Sequence, residues 1–152
     1  MTTGLYSRCM GGNSTIIAMS KWPEEFEDIK TLVLIMVVSG RTFIEKGAEL
    51  IKADPEKSAR QLDERLRELT GMRLDEETPK PYAQDVKVPT LMAQLRREFL
   101  IHAEKDGQEI FDALGATEKE LLWIEESNQR FYAYNHFGQH PEKLVGWFDR
   151  YL

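Results

Sequence analysis

The residues that could do chemistry centre on the stretch LYSRCMGG, residues 5–12, which holds the only cysteine of the 152-residue chain. Cys9 follows a short strand-like stretch and precedes Gly11-Gly12 and a helical pattern. A thiol at the start of a helix lies against unpaired backbone N–H groups, a setting in which the ordinary thiol pKa of about 8.5 can fall. The resulting thiolate would attack a carbonyl carbon and form an acyl-cysteine. The plainer alternative is an inert, buried cysteine acting as a small hydrophobe. Few other groups compete with it. Three scattered histidines, His102, His136 and His140, with one cysteine do not suggest a metal centre, and no metal or cofactor is expected. Gly11-Gly12 before a helix could cradle an anion. The aromatics Phe131, Tyr132, Tyr134, Phe137, Trp147 and Phe148 could line a pocket or simply pack.

These residues need a scaffold, and the pattern of the chain predicts one. Thr3 to Ser7 reads as a short strand, and Gly11 to Ser14 opens a helix carrying Ile16, Ile17 and Met19. Ile29 to Ser39 is a continuous apolar run rich in β-branched residues, as expected of a strand covered on both faces. Residues 41–71 read as two helices split near Asp54-Pro55, with Asp54 as cap and Pro55 in the first turn. Leu62, Leu66 and Leu69 form one stripe, and Gly71 is a helix stop. Residues 72–88 read as a loop and Val88 to Leu95 as a strand with Pro89 near its start. Ala103 to Leu114 is helical, Lys119 to Glu125 is a strand, and a polar, aromatic-rich loop runs to His140. Pro141 opens a final amphipathic helix. Strands alternating with helices predict an α/β layer structure with a parallel sheet of about four strands and right-handed crossovers.

Composition removes several classes of function. A net charge of −6 with mixed signs argues against a phosphate-binding surface, and no basic stripe with interleaved aromatics suggests a nucleic-acid partner. The longest apolar run, LVLIMVV at 32–38, is far short of the roughly 20 residues that span a bilayer. No signal peptide is evident. A single cysteine cannot form an internal disulfide and fits a reducing cytoplasm.

With the elements in order, SRCMGG resembles the nucleophile elbow of the α/β-hydrolase family, small-x-nucleophile-x-small. The local string is particularly similar to dienelactone hydrolases, which carry cysteine where most relatives carry serine. VPTLMAQLRRE resembles the later strand after which these enzymes place their acid, and ALGATEKELLWIEE the approach to the last strand. The resemblance implies the C-terminal half of the family's fold, residues 1–152 forming one partial domain with a cap-like helical insertion at about 41–71. It implies Cys9 as nucleophile, the Met10 N–H as an oxyanion donor, and Glu98 as the acid that orients a histidine. Arg130 stands about where the family's histidine would be, but arginine keeps its proton and cannot be a base. His136, and after it His140, preserve the chain order nucleophile, acid, histidine, so His136 is the candidate base.

Two readings follow from this resemblance. One is a cysteine-nucleophile hydrolase acting on a small-molecule ester, thioester or lactone. The other is a catalytically inactive, truncated or half-hydrolase that acts through assembly. The family carries further strands before the elbow, so the elbow strand would be left at a sheet edge. Such an edge pairs readily with a second copy or with a separate N-terminal half.

Overall fold

The computed structural model describes residues 2–152, and its core is a four-stranded parallel sheet in the order β1-β2-β3-β4. The strands are β1 (Thr3–Arg8), β2 (Ile29–Ile35), β3 (Thr90–Leu95) and β4 (Lys119–Ile124). In-register parallel pairing places every C-terminal strand end on one side of the sheet. That is the side on which open α/β sheets build their sites.

β2 and β3 are almost wholly buried because both faces of the sheet are covered. Leu32, Leu34 and Met92 pack with Ile16 and Met19 of α1 (Met10–Lys21) and with Ile110 and Leu114. Val33, Ile35, Leu91 and Ala93 pack on the opposite face with Phe137 and Trp147. Successive strand residues point to opposite faces, so one continuous apolar run serves both layers. Trp147, on the last helix, reaches the sheet and donates from Nε1 to Thr31 Oγ1 at 2.8 Å, and that hydroxyl donates in turn to the Pro89 carbonyl at 2.9 Å.

β2 ends sooner than its apolar run predicts. Met36 takes a left-handed conformation, φ 54°, and Met36 to Val38 continue as a buried connection rather than as strand. Buried polar groups secure this corner. Gln94 Nε2 donates to the carbonyls of Val37 and Asp106, both at 2.8 Å. The Asp106 carboxylate in turn accepts from the Ser39 and His102 N–H groups. Burial raises the Asp106 pKa, and these hydrogen bonds oppose the shift.

The helical pair forms as expected: α2 (Gly40–Leu50) and α3 (Pro55–Thr70). Asp54 accepts from the Lys57 N–H, and Gly71 closes α3 at φ 77°. Residues 72–88 are not all loop, since α4 (Lys80–Ala83) lies within them. The next helix starts with a π-helical segment, Ala103–Gln108, and continues as α5 (Glu109–Ala113). Lys119 Nζ donates to the carbonyls of Phe111, Asp112 and Leu114 at the C-terminal end of α5, where a cation belongs. The loop expected up to His140 is largely helical: α6 (Arg130–Tyr134) and α7 (His136–Gln139) precede α8 (Pro141–Tyr151).

Candidate active site

β1 ends at Arg8 and α1 begins at Met10, so Cys9 alone makes the turn, at φ 56° and ψ −127°. A residue with a side chain is rarely found there, and such backbone strain costs about 1–3 kcal/mol. It persists because the turn is fixed from both sides. The Cys9 N–H donates to the Ile35 carbonyl at 2.9 Å, and the Cys9 carbonyl accepts from Gly12 at 3.0 Å and Asn13 at 3.3 Å. Ser7 and Thr15 share a hydroxyl–hydroxyl bond of 2.8 Å across the same corner. The small residue that lets α1 approach the sheet is Gly12, one past the position expected from the elbow pattern. A Cβ on Gly12 would stand 2.9 Å from Val37 Cγ2, while one on Gly11 would meet nothing within 4 Å.

Two further strand ends bring their residues to this turn. Glu98 follows β3, and Arg130 opens α6 a short turn after β4. Arg130 Nη2 donates to Glu98 Oε2 at 2.8 Å, and Arg130 Nη1 lies 3.6 Å from Cys9 Sγ. The Arg130 side chain is 9% exposed and that of Glu98 is 0% exposed. Among the described residues, Arg130 Nε and Glu98 Oε1 have no hydrogen-bond partner. Tyr134, one helical turn after Arg130, accepts from Arg130 Nη1 at 3.2 Å. Burial, and then a hydrogen bond to the Cys9 sulfur, hold the Tyr134 hydroxyl above its ordinary pKa. Burial opposes the charge of Arg130, yet Tyr134, Glu98 and Cys9 together outweigh it and keep the guanidinium above its usual value.

The structure brings Cys9, Met10 and Glu98 to one end of the sheet, with Arg130 between the sulfur and the carboxylate, and His136 does not join them. The chain turns into α6 directly after β4, which delivers Arg130 rather than His136 to the sulfur. His136 rides on α7, buried, with its ring 5.5 Å from Phe137 and 4.7 Å from His140. No hydrogen bond links it to Cys9 or Glu98, and its Nδ1 has no partner. Burial, then the neighbouring His140, push its pKa below the usual histidine value. The two rings are four residues apart, a spacing that can bind metal. Among the described residues, however, no group of three His, Cys, Asp or Glu side chains is arranged to hold an ion. Sequence reasoning holds Tyr134 only as a possible pocket-lining aromatic and misses its contact with Arg130. Its signal is the i, i+4 spacing from Arg130, visible only once the segment is known to be helical.

Beside the turn, an apolar groove of about 490 Å³ runs from Met10 between α2 and α3, lined by Phe43, Ile44, Leu62, Leu66 and Met72. The Met10 N–H, at the head of a 12-residue helix, takes no backbone carbonyl. An unpaired N–H at a helix head is a donor that can stabilise an anion.

A parallel sheet covered on both faces, with a sharp turn after β1 and a carboxylate following β3 on the same edge, defines the α/β-hydrolase fold. Solved structures agree. A metagenome-derived lipolytic enzyme of the LipS and LipT pair superposes with a TM-score of 0.65 at 18% identity, over 98% of this chain and 66% of that one. The Pyrococcus furiosus esterase Pf2001 gives 0.63 at 17% identity, over 97% and 53%. A monoacylglycerol lipase of Paleococcus ferrophilus gives 0.58 at 16% identity, over 95% and 66%. The chain thus spans between about half and two thirds of the length of these structures. No protein-family model matches the sequence, and no curated protein matches it. No described helix is long and apolar enough to cross a membrane.

Proposed function

We propose that the chain is an acyl-transferring hydrolase-fold protein with Cys9 as its nucleophile. The observation that carries this reading is the placement of the Cys9 sulfur on a strained turn, 3.6 Å from a buried guanidinium. A thiolate formed there meets a permanent positive charge and the N-terminus of α1, both of which favour an anion. The Met10 N–H is the oxyanion donor, Glu98 holds Arg130 in place, and the groove between α2 and α3 receives the acyl part of a small-molecule substrate. Those two helices act as a cap-like insertion. The resemblance of the elbow to dienelactone hydrolases supports a cysteine in this role and keeps a lactone among the substrates. A reducing compartment such as the cytoplasm would keep the thiol free.

Alkylation by iodoacetamide across pH tests the nucleophile directly. Cys9 is expected to react fast at neutral pH, where its sulfur faces the Arg130 guanidinium. Arg130→Met should slow the reaction at neutral pH by roughly tenfold or more. Slow labelling of folded protein, unchanged by Arg130→Met, would count against a nucleophilic Cys9.

One observation favours a second reading, action through assembly. Among the described residues β1 pairs only with β2, so its other edge is open, and Tyr6 on it is 40% exposed. Open edges recruit strands. On this reading, sedimentation at micromolar concentration shows a dimer or a complex with a separate N-terminal half; monomer alone removes the homo-oligomer.

A further inference from the structure

We infer that the site is built for thioesters and hands its acyl group to a second thiol rather than to water, an inference that rests on Cys9 being the nucleophile. The reason lies in what surrounds the sulfur. Where a hydrolase needs a group that takes and returns a proton, this chain has Arg130, nine-tenths buried, bonded to Glu98 and aimed at Cys9 Sγ. A guanidinium stabilises charge but does not shuttle protons. Tyr134, the next nearest group, accepts from Arg130 Nη1 at 3.2 Å. Burial holds its hydroxyl above the ordinary tyrosine pKa, which makes it a poor proton acceptor. His136 has no hydrogen bond into the site. Arg130 Nε and Glu98 Oε1 also lack partners, so the guanidinium is retained at the cost of two unpaired buried atoms.

The steps that such a site supports are those in which no proton moves. The Cys9 thiolate attacks the carbonyl carbon of R–CO–SR′ and forms a new S–C bond, with the oxyanion on the Met10 N–H. The tetrahedral intermediate collapses, the C–SR′ bond breaks, and R′S⁻ leaves as a thiolate. An acceptor thiolate R″S⁻ then attacks the acyl-cysteine, the Cys9 S–C bond breaks, and Cys9 returns as an anion facing Arg130. The sum is R–CO–SR′ + R″S⁻ → R–CO–SR″ + R′S⁻, with protons exchanged only with solvent. An alkyl ester must expel an alkoxide, which needs a proton donor. Hydrolysis must activate water, which needs a base. General acid–base catalysis of that kind is worth about 100-fold or more, and no group at the sulfur both takes and returns a proton as a histidine would.

The test gives the purified full chain octanoyl-N-acetylcysteamine or ethyl octanoate and follows octanoyl-Cys9 by intact mass, with Cys9→Ala as background. Octanoyl-Cys9 is expected to accumulate from the thioester and to form at least about 100-fold more slowly from the ethyl ester. Adding 2-mercaptoethanol should discharge it far faster than buffer alone. Arg130→Lys, which keeps the charge, should retain acylation better than Arg130→Met. Equal acylation by the ester, or loss of the acyl group in buffer as fast as with thiol, overturns the inference while leaving Cys9 as an acyl-accepting nucleophile. No acyl-Cys9 from either substrate, with Cys9 still readily alkylated, removes the acyl reading itself.

Discussion

Glu98→Ala is expected to destabilise the protein by about 3–5 kcal/mol, the loss seen when one partner of a buried ion pair is removed and the other charge stays behind. The Glu98 side chain is fully enclosed, and its Oε2 accepts from Arg130 at 2.8 Å. Without it the guanidinium keeps only Tyr134 and the Cys9 sulfur as partners. Urea unfolding followed by circular dichroism gives the number. The double variant Glu98→Leu with Arg130→Met separates charge from packing. Replacing both members of such a pair with apolar groups is often neutral or stabilising, so it should recover most of the loss. The double variant should still lose the fast alkylation of Cys9. Stability that returns without reactivity identifies the pair as a feature kept for chemistry. A single Glu98→Ala variant within about 1 kcal/mol of the parent would mean that the pair is solvated and that the enclosed site does not exist in solution.

How far the sequence reveals this arrangement differs from element to element. β2 and β3 are legible because strands covered on both faces must be apolar throughout, and the start of α3 is legible from Asp54-Pro55. The end of β2 is hidden. Val37 and Val38 are buried in the two opposite layers, so hydrophobicity continues past Met36, where pairing stops. Helices α6 and α7 are hidden because segments of four or five residues are held by tertiary packing rather than propensity. Their absence from a sequence reading is what sends the search for a base to His136. The position of Arg130 is visible through the family resemblance, but its chemistry argues against the role expected there. Only the geometry shows that Arg130 lies between Cys9 and Glu98, and that Tyr134 comes with it.

The position of Arg130 depends on β4, and one glycine governs how closely β4 can approach. Gly115 lies between α5 and β4, and its N–H donates to the Ala83 carbonyl at 3.0 Å. A Cβ there would lie 2.0 Å from the Gln84 carbonyl oxygen and 2.6 Å from Lys87 Nζ. The lysine can swing away, but the carbonyl belongs to the backbone just after α4. Gly115→Ala must therefore separate the two connections that lead into β3 and β4. Overpacking of this kind usually costs 1–3 kcal/mol, and the rigid obstacle places this case at about 3 kcal/mol or above. Gly47→Ala is the control: it lies within α2, a Cβ there meets nothing within 4 Å, and the change should stabilise by about 0.5–1 kcal/mol. Shifted urea midpoints of opposite sign are the expected result. Because β4 carries the chain to Arg130, Gly115→Ala should also slow Cys9 alkylation under conditions where the variant remains folded, although Gly115 lies at the far end of β4 from the sulfur. A Gly115→Ala midpoint equal to the parent's would show that the two connections are not packed this closely, and it would remove the reason for β4 to hold Arg130 against Cys9.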